Sequence, residues 1–178
     1  MTESTWLPRD EWLKTLEARP ASANVLLENS QHELLIIKPT YRNIWGLPGG
    51  VIDAGETPLA AAIREVKEEV DVVVAPEELR FTAASLRQHG AKQPTYQFTY
   101  HATIDDERFA AIALQASEIG SYRFIGKDDV LRTAANTTFT AAILHWASDQ
   151  PGGYLEVAIA KDDTEVERET MKQFIPFQ

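Results

Sequence analysis

The segment GGVIDAGETPLAAAIREVKEEVDV, Gly49 to Val72, constrains this chain more than any other. Pro48, Gly49, Gly50 and Gly55 break regular structure at its start, so a tight loop is expected there. Thr57 followed by Pro58 marks a helix start, a hydroxyl cap and then a proline whose missing N–H leaves no bond unmade. The helix is predicted to run to about Val70. At roughly 100° per residue, Leu59, Ile63, Val66 and Val70 fall on one stripe and Glu65, Glu68 and Glu69 gather on another. Like charges three and four residues apart repel by about 0.2–0.5 kcal/mol per pair, so the cluster weakens an isolated helix. Two readings account for it. One is a solvated acidic face; the other is a seat for hard divalent cations, which take carboxylates, waters and phosphate oxygens as ligands.

Charge narrows the partners. The formal net charge of -10 argues against a protein that grips nucleic acid through a basic surface. A small phosphorylated ligand remains compatible, provided local arginines, lysines or bound cations reverse the field around it. No apolar run approaches the roughly 20 residues that cross a bilayer, so no membrane partner is expected. The opening MTESTWLPRDEWLKTLEARP lacks the apolar core of a secretory signal, and the expected location is cytoplasmic. The absence of cysteine excludes disulfides, thiolate metal sites and cysteine nucleophiles. His32, His89, His101 and His145 have no metal-ligand spacing and are assigned no chemistry.

Three regions are expected along the 178 residues. Residues 1–20 form a helical extension in which Trp12, Leu13 and Leu16 pack on the body and Pro20 ends the helix. Residues 21–150 form the main domain. It opens with a β-hairpin turning at Asn29 and Ser30, and Leu34 to Ile37 reads as a strand covered on both faces. Further strands are expected at Val72 to Val74, Arg80 to Leu86, Thr95 to Ile104 and Ser121 to Ile125, with a helix through TFTAAILHWA. Residues 151–178, highly charged toward KDDTEVERETMKQFIPFQ, read as a loose tail or an arm for a partner subunit.

The loop and helix together resemble the Nudix hydrolases, the MutT-like family acting on nucleoside diphosphates linked to a moiety X. The family's box reads G-x5-E-x7-R-E-U-x-E-E-x-G-U, with U a bulky aliphatic residue. Gly50, Glu56, Arg64, Glu65, Val66, Glu68, Glu69 and Val72 match in order and spacing; the late glycine is Asp71 here. Aspartate tolerates the left-handed conformation that such a glycine supplies after a helix, so a modest strain is expected. The resemblance implies an α/β fold, the family's α/β/α sandwich with a mixed β-sheet. It implies Glu68 and Glu69 as ligands of Mg²⁺ or Mn²⁺, Glu65 as a further ligand or general base, and Gly50 as a carbonyl ligand. Arg64 joins this catalytic set, and with Glu56 it forms a structural ion pair tying loop to helix. Glu118 is a candidate for an additional acidic ligand from later in the chain or for a substrate contact, with an ordinary exposed loop carboxylate as its other reading.

The implied reaction is attack of a metal-activated water on the phosphorus of a diphosphate. Its substrate is a nucleoside diphosphate joined to X, either a nucleotide sugar such as ADP-ribose or a nucleoside triphosphate. Lys38, Arg42 and Arg87 are candidates for phosphate contacts. Tyr41, Trp45 and Tyr122 could stack on a base, with core packing as their other use. The proline that follows the box in many ADP-ribose pyrophosphatases is not evident near Leu86 to Gln88. The alternative is a catalytically silent Nudix-fold module that binds nucleotide or regulates, although Glu65, Glu68 and Glu69 are all intact. A homodimer is expected by analogy.

Overall fold

Continuous burial from Ala23 to Glu28 sets the centre of the molecule. In the computed structural model, which describes residues 6–90, 92–161 and 167–177, this segment belongs to strand β1 (Ala21–Glu28). Ala23, Val25 and Leu27 point to one face and Ser22, Asn24, Leu26 and Glu28 to the other. Strand β2 (Leu34–Pro39) pairs antiparallel with β1 after the Asn29–Glu33 turn, where Asn29 Oδ1 accepts the backbone N–H groups of Gln31 and Glu33. Leu34 to Ile37 are buried throughout, as a strand covered on both faces requires.

Around this pair the described residues build one eight-stranded mixed sheet. Its other strands are β3 (Gly49–Val51), β4 (Arg80–His89), β5 (Thr95–Thr103), β6 (Ile119–Ile125), β7 (Gly153–Lys161) and β8 (Glu167–Pro176). The order is β6-β2-β1-β5-β4-β7-β8, with β3 on β1; β1 with β5 and β4 with β7 run parallel, and the other pairs antiparallel. Helices cover both faces. Helix α2 (Pro58–Val70) packs Ala61, Ala62, Val66 and Val70 on Ala23, Val25 and Leu27. On the opposite face, α4 (Lys127–Thr133) and α5 (Ala141–Ala147) bring Val130, Ile143 and Trp146 against Leu26, Leu34 and Ile36. The short α3 (Asp106–Ala110) adds Phe109 to the α2 side. This is the expected α/β/α sandwich with a mixed sheet. Among the described residues, no helix is long and apolar enough to cross a membrane.

Several expectations are corrected. Val72 and Val74 are buried but make no strand; the chain there runs extended from α2 into a single 3₁₀ turn at Pro76–Glu78. Its apolar side chains fill the core while no sheet edge is offered to its backbone. Helix α1 (Arg9–Thr15) ends before Pro20 and buries none of its residues, with Trp12, Leu13 and Leu16 about half exposed. The supposed tail or partner arm supplies β7 and β8. Leu155, Val157 and Ile159 of β7 are buried, and Phe174 of β8 packs against them. The charged composition that suggested a tail is that of an edge strand, where charged side chains guard an open row of backbone groups.

Candidate active site

Local signals fix the helix that carries the acids. Thr57 Oγ1 accepts the Ala60 N–H at 3.2 Å, Pro58 occupies the first turn, and Asp71 closes the helix at φ 59 and ψ 21, in the left-handed region. The Asp71 carboxylate also pairs with Lys67 Nζ.

The buried stripe of α2 lies to one side of the one its leucine and isoleucine suggested. Ala62, Val66, Glu69 and Val70 are buried, whereas Leu59 and Ile63 are only partly so. Glu69 therefore sits on the core side, 6% exposed, while Glu65 is largely covered and Glu68 is open to solvent. The cause is β3, which lies over this edge of the helix and donates the Gly49 N–H to Glu69 Oε2 at 2.7 Å. Only glycine fits at position 49 of this crossing. Gly49 has φ +148, and a Cβ there would lie 2.2 Å from the Ala23 carbonyl oxygen; at Gly50 a Cβ would lie 2.5 Å from Glu65 Oε1.

Arg64 gathers the remaining acids. Its Nε and Nη2 donate to the two oxygens of Glu56 at 3.0 and 2.9 Å, Nη2 also reaches the Val51 carbonyl at 3.0 Å, and Nη1 donates to Glu65 at 2.7 Å and Glu68 at 3.1 Å. The guanidinium thus bolts the glycine loop to the helix. Hydrogen bonds from Arg64 and the Asp53 N–H hold Glu56 below the ordinary carboxylate range. Burial pushes Glu65 up, against the pull of Arg64. Burial also raises Glu69 to about 8, helped by the charges of Glu65, Glu118 and Glu68 and opposed by the Gly49 N–H. Glu118 reaches this field because its loop is anchored at the end of α2, through Gln115 N–H to the Glu69 carbonyl and Thr40 N–H to the Glu118 carbonyl.

Beside Glu69 and the two glycines opens a cavity of about 90 Å³, on the sheet face that α5 covers. Arg42 and Arg87 line it, together with Asn24, Gln97 and Thr140. Lys38 stands over the Trp45 ring, 5.9 Å from its centroid, and does not line this cavity. Tyr41 lines it; Tyr122 packs edge-on against Phe124. A larger cavity, about 560 Å³, lies at the far end of β1 around Glu28, His101 and Trp146, away from the acidic helix.

With this geometry in place, the family model of the NUDIX domain matches residues 18–147. The chain belongs to the Nudix family. Among its relatives is the RNA pyrophosphohydrolase of Psychrobacter cryohalolentis, 44% identical over 50 residues, which are 28% of this chain and 29% of that protein. The putative 8-oxo-dGTP diphosphatase of Bacillus subtilis is 40% identical over 47 residues, 26% of this chain and 32% of that one. These matches span less than a third of either curated relative. Among solved structures, the mutator MutT protein of Bacillus halodurans aligns with 88% of this chain and 96% of its own, at 18% identity and a TM-score of 0.60, a likeness of fold.

Motifs in the chain do not mark Asn24, Gln97 and Thr140 on the cavity wall, nor Glu169 of β8, which pairs with Arg87. For Asn24 a signal existed. Ser22, Asn24 and Glu28 are polar at alternate positions of a strand that is otherwise core, which marks a face with work for polar groups.

Proposed function

We propose that this Nudix protein hydrolyses the phosphoanhydride of a nucleoside diphosphate linked to X, with a divalent cation, Mg²⁺ or Mn²⁺, as cofactor. The observation that carries the reading is Glu69, a buried carboxylate whose one hydrogen bond among the described residues comes from the Gly49 N–H and whose charge faces further acids.

The donor set fits a hard cation: carboxylates at positions 65, 68 and 69 within one turn, beside the Gly50 carbonyl. Among the described residues no three acidic or histidine side chains are already drawn together as ligands, because Glu65 and Glu68 hold Arg64. Glu68, Glu69 and the Gly50 carbonyl would hold the metal, with Glu65 as a further ligand or as the base that takes the proton of the attacking water. When bound, the cation supplies charge neutralisation and a more acidic water. Arg64 keeps Glu65 and Glu68 at the mouth of the site while its pair with Glu56 fixes the glycine loop. Arg42 and Arg87 on the cavity wall suit an anionic or hydrogen-bonding substrate.

The test is a panel of ADP-ribose, nucleotide sugars, dinucleoside polyphosphates and nucleoside triphosphates with Mg²⁺ or Mn²⁺, read by released phosphate, pyrophosphate and monophosphates. Metal-dependent turnover of one class, abolished in Glu68→Gln and Glu69→Gln, is the expected result and identifies X. No turnover of any class by a folded protein that binds metal would sink the reading and leave a nucleotide-binding module.

A further inference from the structure

We propose that the C-terminal hairpin β7–β8, which lies beyond the family-matched residues 18–147, braces from behind a pocket that reads a nucleobase: Asn24 and Arg87 contact the base, and Glu169 positions Arg87. The proposal rests on the reading above, in which a nucleotide occupies this site.

A band of polar side chains crosses the α5-facing side of the sheet. Ser22 lies opposite Gln97 and Asn24 opposite Thr99 in the β1–β5 register; Gln97 lies opposite Ser85 of β4, and Arg87 follows two residues along that strand. Paired residues project to the same face, so these groups are neighbours. Asn24, Thr99, Ser85 and Arg87 are all at least nine-tenths buried. Buried polar atoms normally have partners. Here Asn24 Oδ1, Thr99 Oγ1, Arg87 Nε and Thr140 Oγ1 have none, four of the five such side-chain atoms among the described residues. Asn24, Arg87 and Thr140 line the cavity that also reaches Gly49, Gly50 and Glu69.

The unpaired atoms include an acceptor on Asn24, a donor on Arg87 and hydroxyls that can do either. Ile37, Ile44 and Leu47 form apolar walls of the same cavity. Apolar walls with donors and acceptors grouped on a floor suit a flat heterocycle with a polar edge. A sugar, with hydroxyls around its whole rim, would leave groups unmatched against the walls. The glycine loop and Glu69 stand at another part of the same lining, which places the phosphates toward the acids and the base toward the sheet.

Glu169 makes this arrangement depend on the hairpin. Its side chain is 4% exposed; one carboxylate oxygen pairs with Arg87 Nη2 and the other accepts the Ala141 N–H at 2.8 Å. The guanidinium is held from its Nη2 end, and its buried Nε has no partner among the described residues. The same carboxylate ties β8 to the start of α5, next to Thr140. Glu169 is a positioning residue, and Arg87 and Asn24 are the groups that touch the base.

The test needs neither metal nor turnover. Binding of the four common ribonucleoside 5′-monophosphates and of ribose 5-phosphate is measured by calorimetry with a chelator present, on the full chain and on Asn24→Leu, Arg87→Lys and Glu169→Gln. At least one nucleotide should bind about 10-fold or more tighter than ribose 5-phosphate, a factor that a few buried hydrogen bonds supply. Arg87→Lys and Glu169→Gln should each remove most of that margin and leave ribose 5-phosphate binding unchanged. Against the best substrate the same variants should raise KM with kcat within about twofold. Glu169→Gln keeps an acceptor for the Ala141 N–H, and thermal melting confirms that each variant is folded. Equal binding of nucleotides and ribose 5-phosphate by the unaltered protein overturns the proposal without recourse to any variant. So does a base preference that folded Arg87→Lys and Glu169→Gln retain. Base-dependent binding without hydrolysis of any substrate would support the pocket while refuting the hydrolase reading.

Discussion

Two buried carboxylates, Glu28 at one end of β1 and Glu69 on α2, are almost equally hidden, at 9% and 6% exposure, yet their surroundings are opposite. Glu28 accepts from His32 Nδ1 at 2.8 Å, His101 Nε2 at 3.1 Å and Trp146 Nε1 at 3.1 Å. Burial pushes its pKa up, but the three hydrogen bonds together outweigh burial and hold it below the ordinary range. Among the described residues Glu69 has the Gly49 N–H alone, and burial with neighbouring acids carries it to about 8. A satisfied buried acid belongs to the scaffold. An unsatisfied one marks a place where the fold has left room for something else to bring the charge. The larger cavity, which borders Glu28, is therefore a weaker candidate for chemistry than the small one beside Glu69.

The sharpest way to break this comparison is to neutralise each acid in turn. Glu69→Gln should lower kcat/KM by on the order of 10³-fold, about 4 kcal/mol of transition-state stabilisation, while leaving thermal stability equal or higher. Steady-state kinetics beside a melting curve checks both halves. Glu28→Ala should do the reverse, losing about 1–3 kcal/mol of stability in urea titrations because the Trp146 N–H is left buried and unpaired, with kcat changed less than about twofold. A smaller effect is expected for Arg64→Lys, which cannot reproduce the two-point contact with Glu56. It should cost about 1 kcal/mol or less and show first as faster amide exchange in residues 49–56. The smallest effect concerns acid pH. Because the folded-state pKa of Glu28 is depressed, its stabilisation is complete above the unfolded value of about 4.3 and is lost as pH falls through the folded value. Glu28→Gln should therefore flatten the stability–pH curve below about pH 5.

Much of the site was legible because helix and turn chemistry is local. Thr57, Pro58 and Asp71 mark both ends of α2 within the segment itself, and the spacing of Glu56, Arg64, Glu65, Glu68 and Glu69 shows that they share a neighbourhood. What was not legible depends on contacts made across the chain. Helical periodicity put Glu69 with the exposed acids, because the strand that covers it, β3, is only three residues long and comes from a glycine loop. The hairpin β7–β8 was read as a tail because the many charges of β8 hid the alternation of β7, where Leu155, Val157 and Ile159 point inward. Apolar residues on α1 suggested docking, yet amphipathic spacing requires only a helix and not a surface to receive it.

The pair of Arg87 and Glu169 joins strands 82 residues apart in the chain. Arg87 stands on β4, which forms a local antiparallel hairpin with β5, whereas its counter-charge comes from β8, much later in the chain. Without β8 the domain would hold the Arg87 guanidinium in its interior without the Glu169 counter-charge. Fragments that stop short of β8 should be poorly stable, and the final strand acts as a lock on assembly as well as an edge of the sheet.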